Sequence, residues 1–94
     1  MAYHVEFTAK AAKQLARIDR TQAKMIVAWI ESHLEGCENP RLVEGSKQIK
    51  GTACGWRYRV GSYRILASIL DDRLVIEVVR VGHRQGVYEN LPDM

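Results

Sequence analysis

The chain has 94 residues, which is enough for one domain with a single core and too few for two. Its composition, with 47% apolar and 27% charged residues, is that of a folded protein and excludes a disordered chain. No apolar run approaches the roughly 20 residues that cross a bilayer, and no export signal stands at the N-terminus, so we expect a cytoplasmic protein without membrane contact.

The net charge of +3 is unevenly distributed. Residues 1–46 hold six basic and six acidic residues, whereas residues 47–88 hold eight basic and three acidic ones. The positive charge therefore belongs to the C-terminal half, and this asymmetry predicts an anionic partner.

The N-terminal region predicts a short strand followed by a helix. Alternation of apolar and polar residues over 3–7 indicates a strand with Tyr3, Val5 and Phe7 facing inward. Thr8 offers a hydroxyl cap for a helix over 9–18. One face of that helix is apolar and carries Ala11, Ala12, Leu15 and Ile18.

A second helix follows after two or three residues, so the two helices should form a hairpin. Asp19 and Thr21 can each cap it, and Gly36 ends it. Its apolar positions follow helical spacing and are Ile26, Val27, Ile30 and Leu34.

Beyond an irregular connection over 37–46, the apolar period changes to two and predicts strands. These are a short edge strand at 47–50 and three longer strands at 56–60, 63–70 and 73–81. The pairs Gly61-Ser62 and Asp71-Asp72 are short enough for tight hairpins, so the last three strands should form an antiparallel meander.

The predicted fold is a single α+β domain over residues 1–94, in which a helix hairpin covers one face of a mainly antiparallel sheet of three or four strands, after the short N-terminal strand. The helices should cover the face of Trp56, Tyr58 and Val60. Arg57 and Arg59 then point to the opposite, open face.

Four arginines are candidates for binding phosphate, because a guanidinium group donates two parallel hydrogen bonds and keeps its charge. They lie on neighbouring predicted strands or just beyond one, and are Arg57, Arg59, Arg64 and Arg84. Lys47 and Lys50 on the edge strand extend this candidate RNA-binding set. The alternative is that exposed strand arginines only keep the sheet soluble.

His83 and Tyr88 complete the candidate site. His83 is the one histidine beside the arginines, and an imidazole exchanges protons near neutral pH. Tyr88 is suited to stacking on an unpaired RNA base, whereas packing is the favoured role of Tyr63. The lone cysteines, Cys37 and Cys54, have no metal-ligand spacing with the histidines, so we expect no metal and no cofactor.

These residues, in this order, resemble the RelE branch of the RelE/ParE toxin superfamily over essentially the whole chain. The segments that carry the resemblance are Gln48-Ile49-Lys50-Gly51, Trp56-Arg57-Tyr58-Arg59-Val60, Ser62-Tyr63-Arg64-Ile65, Val81-Gly82-His83-Arg84 and Val87-Tyr88.

The resemblance implies a type II toxin that enters the ribosomal A site, where it meets mRNA and rRNA, and cleaves the translated mRNA by attack of the ribose 2′-hydroxyl. It also implies a cognate antitoxin that neutralises the toxin within a hetero-oligomer. Arg64 and Arg84 match phosphate-contacting arginines of the family, and Tyr88 matches a tyrosine that stacks on a base. Arg57 and Arg59 match positions that are lysines in well-known members.

That replacement changes the expected chemistry, because arginine effectively cannot lose its proton. We therefore hypothesise that His83 is the general base, with Arg84 neutralising charge on the scissile phosphate. Two other functions remain open at this point. ParE relatives share the fold and inhibit DNA gyrase, and an inactive homologue would only bind RNA or antitoxin.

Overall fold

The computed structural model of the protein describes residues 1–83, 86–88, 91 and 94. It has the predicted α+β architecture, with two helices and a five-stranded sheet. The strands are β1 (His4–Phe7), β2 (Ser46–Gln48), β3 (Gly55–Val60), β4 (Tyr63–Leu70) and β5 (Val75–His83). The helices are α1 (Ala9–Arg17) and α2 (Arg20–His33), and a short 3-10 turn spans Pro40–Leu42. No helix in the described ranges combines the length and the apolar character needed to span a bilayer.

The sheet has the strand order β1-β5-β4-β3-β2. Strands β2 to β5 pair antiparallel, as predicted for the last three, and β1 pairs parallel with β5. The N-terminal strand therefore joins the sheet as an edge strand, which raises the strand count above the predicted three or four. Phe7, predicted inward, is 37% exposed because it ends this edge strand, which has a neighbour on one side only.

Both helices begin at side-chain caps. The Thr8 hydroxyl accepts a hydrogen bond from the Ala11 amide at 3.1 Å, as predicted. Asp19, rather than Thr21, caps α2, and its carboxylate accepts from the Thr21 amide at 3.2 Å. Ala12, predicted on the buried face of α1, is exposed, because the buried stripe follows Ala11, Leu15 and Ile18 and Ala12 lies beside it.

The two connections within the meander differ. Gly61-Ser62 forms the predicted two-residue turn, with Gly61 at a left-handed φ of 60°. Asp71-Asp72 does not form one, because β4 ends at Leu70 and β5 begins only at Val75. Leu74 adopts a left-handed φ of 53° and packs on the core, so the turn takes four residues instead of two.

The main core lies between the helices and one face of the sheet. Tyr58, Ile65 and Ile76 are fully buried there against Ile26 and Ile30 of α2. Trp56 and Val60 belong to the same face, as predicted. A second, smaller core covers part of the opposite face and consists of Ile49, Leu66, Val79 and Val87, with Leu91 and Met94 packed against it.

Candidate functional site

Basic side chains occupy two adjacent rows on the sheet face that is turned away from the helices. In the first row Lys47 lies opposite Arg57, Arg57 opposite Leu66, and Leu66 opposite Arg80. In the second row Arg59 lies opposite Arg64. Directly opposed residues of an antiparallel pair point to the same face with Cβ atoms about 5 Å apart. The sheet therefore holds Lys47 beside Arg57 and Arg59 beside Arg64, whereas Leu66 separates Arg57 from Arg80.

A cavity of about 630 Å³ opens on this face. Six of the predicted site residues line it: Lys47, Lys50, Arg57, Arg59, Arg64 and Tyr88. Gln48, Ile49 and Leu91 complete the wall. The cavity is thus cationic on the sides formed by β2, β3 and β4, and carries one aromatic ring contributed by the C-terminal segment.

Two of the arginines that line this cavity have no ion pair with another described residue. Within the described residues neither Arg57 nor Arg59 takes part in an ion pair, and the two ion pairs of that part of the chain lie elsewhere. Arg64 is oriented by its own backbone, since its Nη1 donates to the Tyr63 carbonyl at 3.1 Å. Opposed like charges destabilise a sheet, so the arrangement favours binding of an anion over stability of the free protein.

Tyr88 reaches the cavity because the preceding residue is anchored. Val87 is 5% exposed and belongs to the second core, whereas Tyr88 is 43% exposed. The anchored valine therefore presents the phenol ring at the rim of the cavity, where one face of the ring can meet a base.

Arg80 is a basic residue that sequence reasoning assigned no role. It is 7% exposed, and its Nη1 donates to the Val79 carbonyl at 3.0 Å. A β-bulge explains its position: Leu66 pairs with Arg80 but Ala67 pairs with Val78, so Val79 is an extra residue in β5. In a regular strand, residue 80 would follow Val78 into the helix-covered core. The bulge turns Arg80 toward the cationic face.

His83 lies apart from the cavity. It pairs with Tyr63, whereas Gly82 pairs with Arg64, so His83 belongs to the opposite face of the sheet from the arginines. Its ring stacks on Tyr63, with centroids 4.3 Å apart. Arg84, which is predicted to neutralise charge on the scissile phosphate, lies outside the described residues.

A hydrogen-bonded brace holds the connection that leads into β2. Arg41 donates two hydrogen bonds to Asp71, at 3.0 and 2.8 Å, and Tyr3 donates a third. The bonds from Arg41, and then from Tyr3, hold the pKa of Asp71 below its usual range. The buried Tyr58 hydroxyl donates to the Pro40 carbonyl at 2.8 Å, and burial raises its pKa. These contacts fix the position of the strand that carries Lys47.

Comparison with known proteins gives consistent matches over nearly the whole chain. A family model described as the ParE toxin of the type II toxin–antitoxin system parDE matches residues 5–88. A protein of Methanocaldococcus jannaschii named putative toxin RelE1 is 29% identical over 91 residues, which cover 96% of this chain and 99% of that protein. A putative RelE-like toxin protein of Escherichia coli is 25% identical over 87 residues, 90% of this chain and 86% of its own length.

Solved structures show the same fold. The RelB-RelE antitoxin-toxin complex from Methanococcus jannaschii contains a chain that matches with a TM-score of 0.67 and 30% identity, over 92% of this chain and 98% of that one. A chain of the toxin-antitoxin complex RelBE2 from Mycobacterium tuberculosis matches with a TM-score of 0.72 and 25% identity, over 89% of this chain and 100% of that one.

Proposed function

This chain belongs to the RelE/ParE superfamily of type II toxins, as a RelE-like member, and on that premise we propose that it is an endoribonuclease that cleaves mRNA in the ribosomal A site. The observation that carries the proposal is the cavity in which Arg57, Arg59 and Arg64 converge with Lys47 and Lys50. A concave cluster of guanidinium and ammonium groups suits a phosphodiester backbone.

The cations have a direct role in the proposed reaction. The ribose 2′-oxygen attacks the adjacent phosphorus while the bond from phosphorus to the 5′-oxygen breaks, which leaves a 2′,3′-cyclic phosphate and a 5′-hydroxyl end. Negative charge accumulates on the phosphorane oxygens in the transition state. Arg57, Arg59 and Arg64 stabilise that charge with preorganised hydrogen bonds, so the chain's own guanidinium groups supply the electrostatic part of catalysis.

Base stacking and proton transfer complete the proposal. Tyr88, at the rim of the cavity, stacks on a base next to the scissile phosphate and so aligns the 2′-oxygen for attack. His83 remains the sequence-based candidate for the general base, with Arg84 neutralising charge on the scissile phosphate. The stacking of His83 on Tyr63, on the other face of the sheet, does not favour direct abstraction of the 2′-proton. We therefore assign most of the rate enhancement to the arginines and Tyr88.

We also propose a cognate antitoxin as partner, in a hetero-oligomer in the cytoplasm. Two of the similar solved structures are toxin-antitoxin complexes. The exposed cations of this chain would attract an acidic antitoxin segment, and such a segment would block RNA from the same cavity. The antitoxin and RNA thus compete for one surface of this chain.

Cleavage on the ribosome is tested by mapping new mRNA 5′ ends by primer extension after incubation of the toxin with programmed ribosomes. We expect new ends with ribosomes and none with mRNA alone. Arg57→Ala removes a cavity guanidinium and should lower the cleavage rate by about 10²-fold or more, the scale of one lost transition-state donor. Arg73→Ala is the matched control, because Arg73 is exposed in the β4–β5 turn, away from the cavity.

A second candidate function is inhibition of DNA gyrase, because the family model that matches residues 5–88 is described as ParE. It is distinguished by a supercoiling assay with purified gyrase, in which the proposed nuclease leaves supercoiling unchanged. An inactive RNA- or antitoxin-binding homologue would slow translation without producing new 5′ ends. Inhibition of supercoiling, or slower translation without new 5′ ends, would overturn the proposed function.

A further inference from the structure

A second pocket lies on the other side of Arg59, between the C-terminal end of α2 and the start of β2. It has a volume of about 340 Å³ and is lined by Trp29, His33, Glu44, Gly45 and Arg59. Arg59 lines both this pocket and the larger cationic cavity, so the two are neighbours along one surface. We call this second pocket the α2 notch.

The imidazole of His33 forms a fixed platform in the α2 notch. Its ring stacks on Trp29 with centroids 4.7 Å apart and an interplanar angle of 17°. Because the Trp29 carbonyl can only accept, His33 donates from Nδ1 to it, at 3.0 Å. These two contacts hold one face of the ring against Trp29, and His33 is otherwise exposed. The opposite face is therefore available to a planar ligand.

The charges of the α2 notch select among ligands. The described charged residues that line the larger cavity are all cations, whereas the lining of the notch includes both the Arg59 guanidinium and the Glu44 carboxylate. A phosphate group would be repelled by Glu44. A neutral nucleobase suits the notch better, because its ring stacks on His33 and its N–H groups donate to the carboxylate.

We propose that the α2 notch binds a nucleobase of the RNA whose backbone occupies the cationic cavity, with Arg59 contacting the phosphate between them. This inference rests on the proposed RNA-binding function and extends it by naming a base subsite. It makes His33 and Glu44 RNA-binding residues and Trp29 a positioning residue.

Trp29 provides a direct readout, since the chain has two tryptophans and Trp56→Phe leaves one. The probe is a short single-stranded RNA of mixed sequence, methylated at every 2′-oxygen so that it cannot be cleaved. In the Trp56→Phe chain we expect this RNA to change the Trp29 fluorescence on binding. His33→Ala should weaken binding by about 5- to 100-fold, the range for one base that loses its stacking partner. His33→Phe keeps a ring and should retain most of the affinity.

Glu44→Gln distinguishes a hydrogen bond between Glu44 and a base from the general effect of negative charge on RNA binding. Loss of a negative charge strengthens binding of a polyanion in general, and Glu38→Gln, in the same exposed connection, should show that weak effect. If Glu44 accepts hydrogen bonds from a base, Glu44→Gln instead weakens RNA binding.

Three outcomes would overturn the inference in distinguishable ways. If Arg57→Ala weakens RNA binding while His33→Ala and Glu44→Gln do not, the cavity binds RNA and the notch does not. If Arg57→Ala has no effect either, the proposed function itself fails. If His33→Ala weakens binding of the antitoxin but not of RNA, the notch is an antitoxin contact. Thermal unfolding of each variant checks that the fold is intact.

Discussion

At the scale of single residues, the described charged side chains fall into two groups. Some form hydrogen bonds that support the fold, and others have no acidic partner among the described residues. Asp71 is satisfied by Arg41 and Tyr3, and Glu35 accepts from the Val5 amide and from His4. Arg57 and Arg59 have no acidic partner among the described residues. The first group supports the sheet ends, and the second is available to a ligand.

The Asp71 brace predicts a dependence of stability on pH. Hydrogen bonds from Arg41, then Tyr3, lower the folded-state pKa of Asp71, so its contribution is present above the unfolded pKa of about 3.9 and is lost as pH falls through the folded value. We expect Asp71→Asn to lower the melting temperature at pH 7 and to flatten its fall in acid below about pH 4. Asp72→Asn, in the same exposed turn, is the control. Equal melting curves for Asp71→Asn and Asp72→Asn at pH 7 would contradict the brace.

His83 provides a test of how the reaction is catalysed. Because its ring stacks on Tyr63 behind the cationic face, we expect His83→Ala to lower ribosome-dependent cleavage by less than about tenfold. A general base typically contributes about 10²- to 10⁴-fold. A loss of that size, with an unchanged melting temperature, would assign proton abstraction to His83 after all.

At the scale of secondary-structure elements, the short β2–β3 connection determines where Lys50 stands. Thr52 fixes this connection, since its hydroxyl donates to the Ile49 carbonyl at 2.7 Å and accepts from the Gly55 amide at 3.1 Å. Gly55 has no side chain, and the Thr52 hydroxyl occupies the space where a side chain would lie. A Cβ there would lie 2.6 Å from the Thr52 oxygen, closer than real contacts allow.

Gly55→Ala should therefore destabilise the protein by about 1 to 3 kcal/mol, the usual cost of an overpacked site. The measurement is chemical denaturation. Gly82→Ala is the control, because its added methyl would stand 3.7 Å from Val87, an ordinary contact. Thr52→Ala in the Gly55→Ala chain should recover part of the loss if the clash is its cause. If Gly55→Ala were as stable as Gly82→Ala, the β2–β3 connection would accommodate the added methyl group without cost, which would contradict the prediction.

The elements also show what sequence patterns can predict. Alternation over residues 56–60 predicted β3 and the face that carries Arg57 and Arg59, because a regular strand has a strict period of two, and the apolar run over 63–70 predicted the central strand β4. The same rule failed at β5, where the Val79 bulge shifts the period and brings Arg80 to the cationic face. It also left open which face would hold His83, a question that depends on register at the strand end.

Contacts between residues distant in sequence could not be predicted from sequence patterns, for a different reason. Nothing local in residues 3–7 indicates that β1 pairs with β5, some seventy positions later. Likewise, the α2 notch joins Trp29 and His33 to Glu44 and Arg59 through packing of separate elements. Such proximity depends on the tertiary fold rather than on local periodicity.

At the scale of the whole molecule, the repulsion among basic residues of the cationic face is a cost that an acidic partner can lower. Arg59 faces Arg64 and Lys47 faces Arg57 across neighbouring strands, and like charges in these positions repel. We therefore expect the cognate antitoxin to raise the melting temperature, and to raise it more at low salt, because screening weakens the repulsion that the partner relieves. Calorimetry at two salt concentrations measures this. A melting temperature that is unaffected by the antitoxin would contradict it.

The parallel pairing of β1 with β5 has a consequence for biosynthesis. In chain order β1 precedes every other described strand, yet it completes its hydrogen bonds only with β5, from His4 opposite Val75 to Phe7 opposite Val78. Chain entropy delays contacts between such distant segments. The β1 strand of a nascent chain therefore stays unpaired until β5 has been synthesised, after the strands that carry Lys47, Arg57 and Arg64.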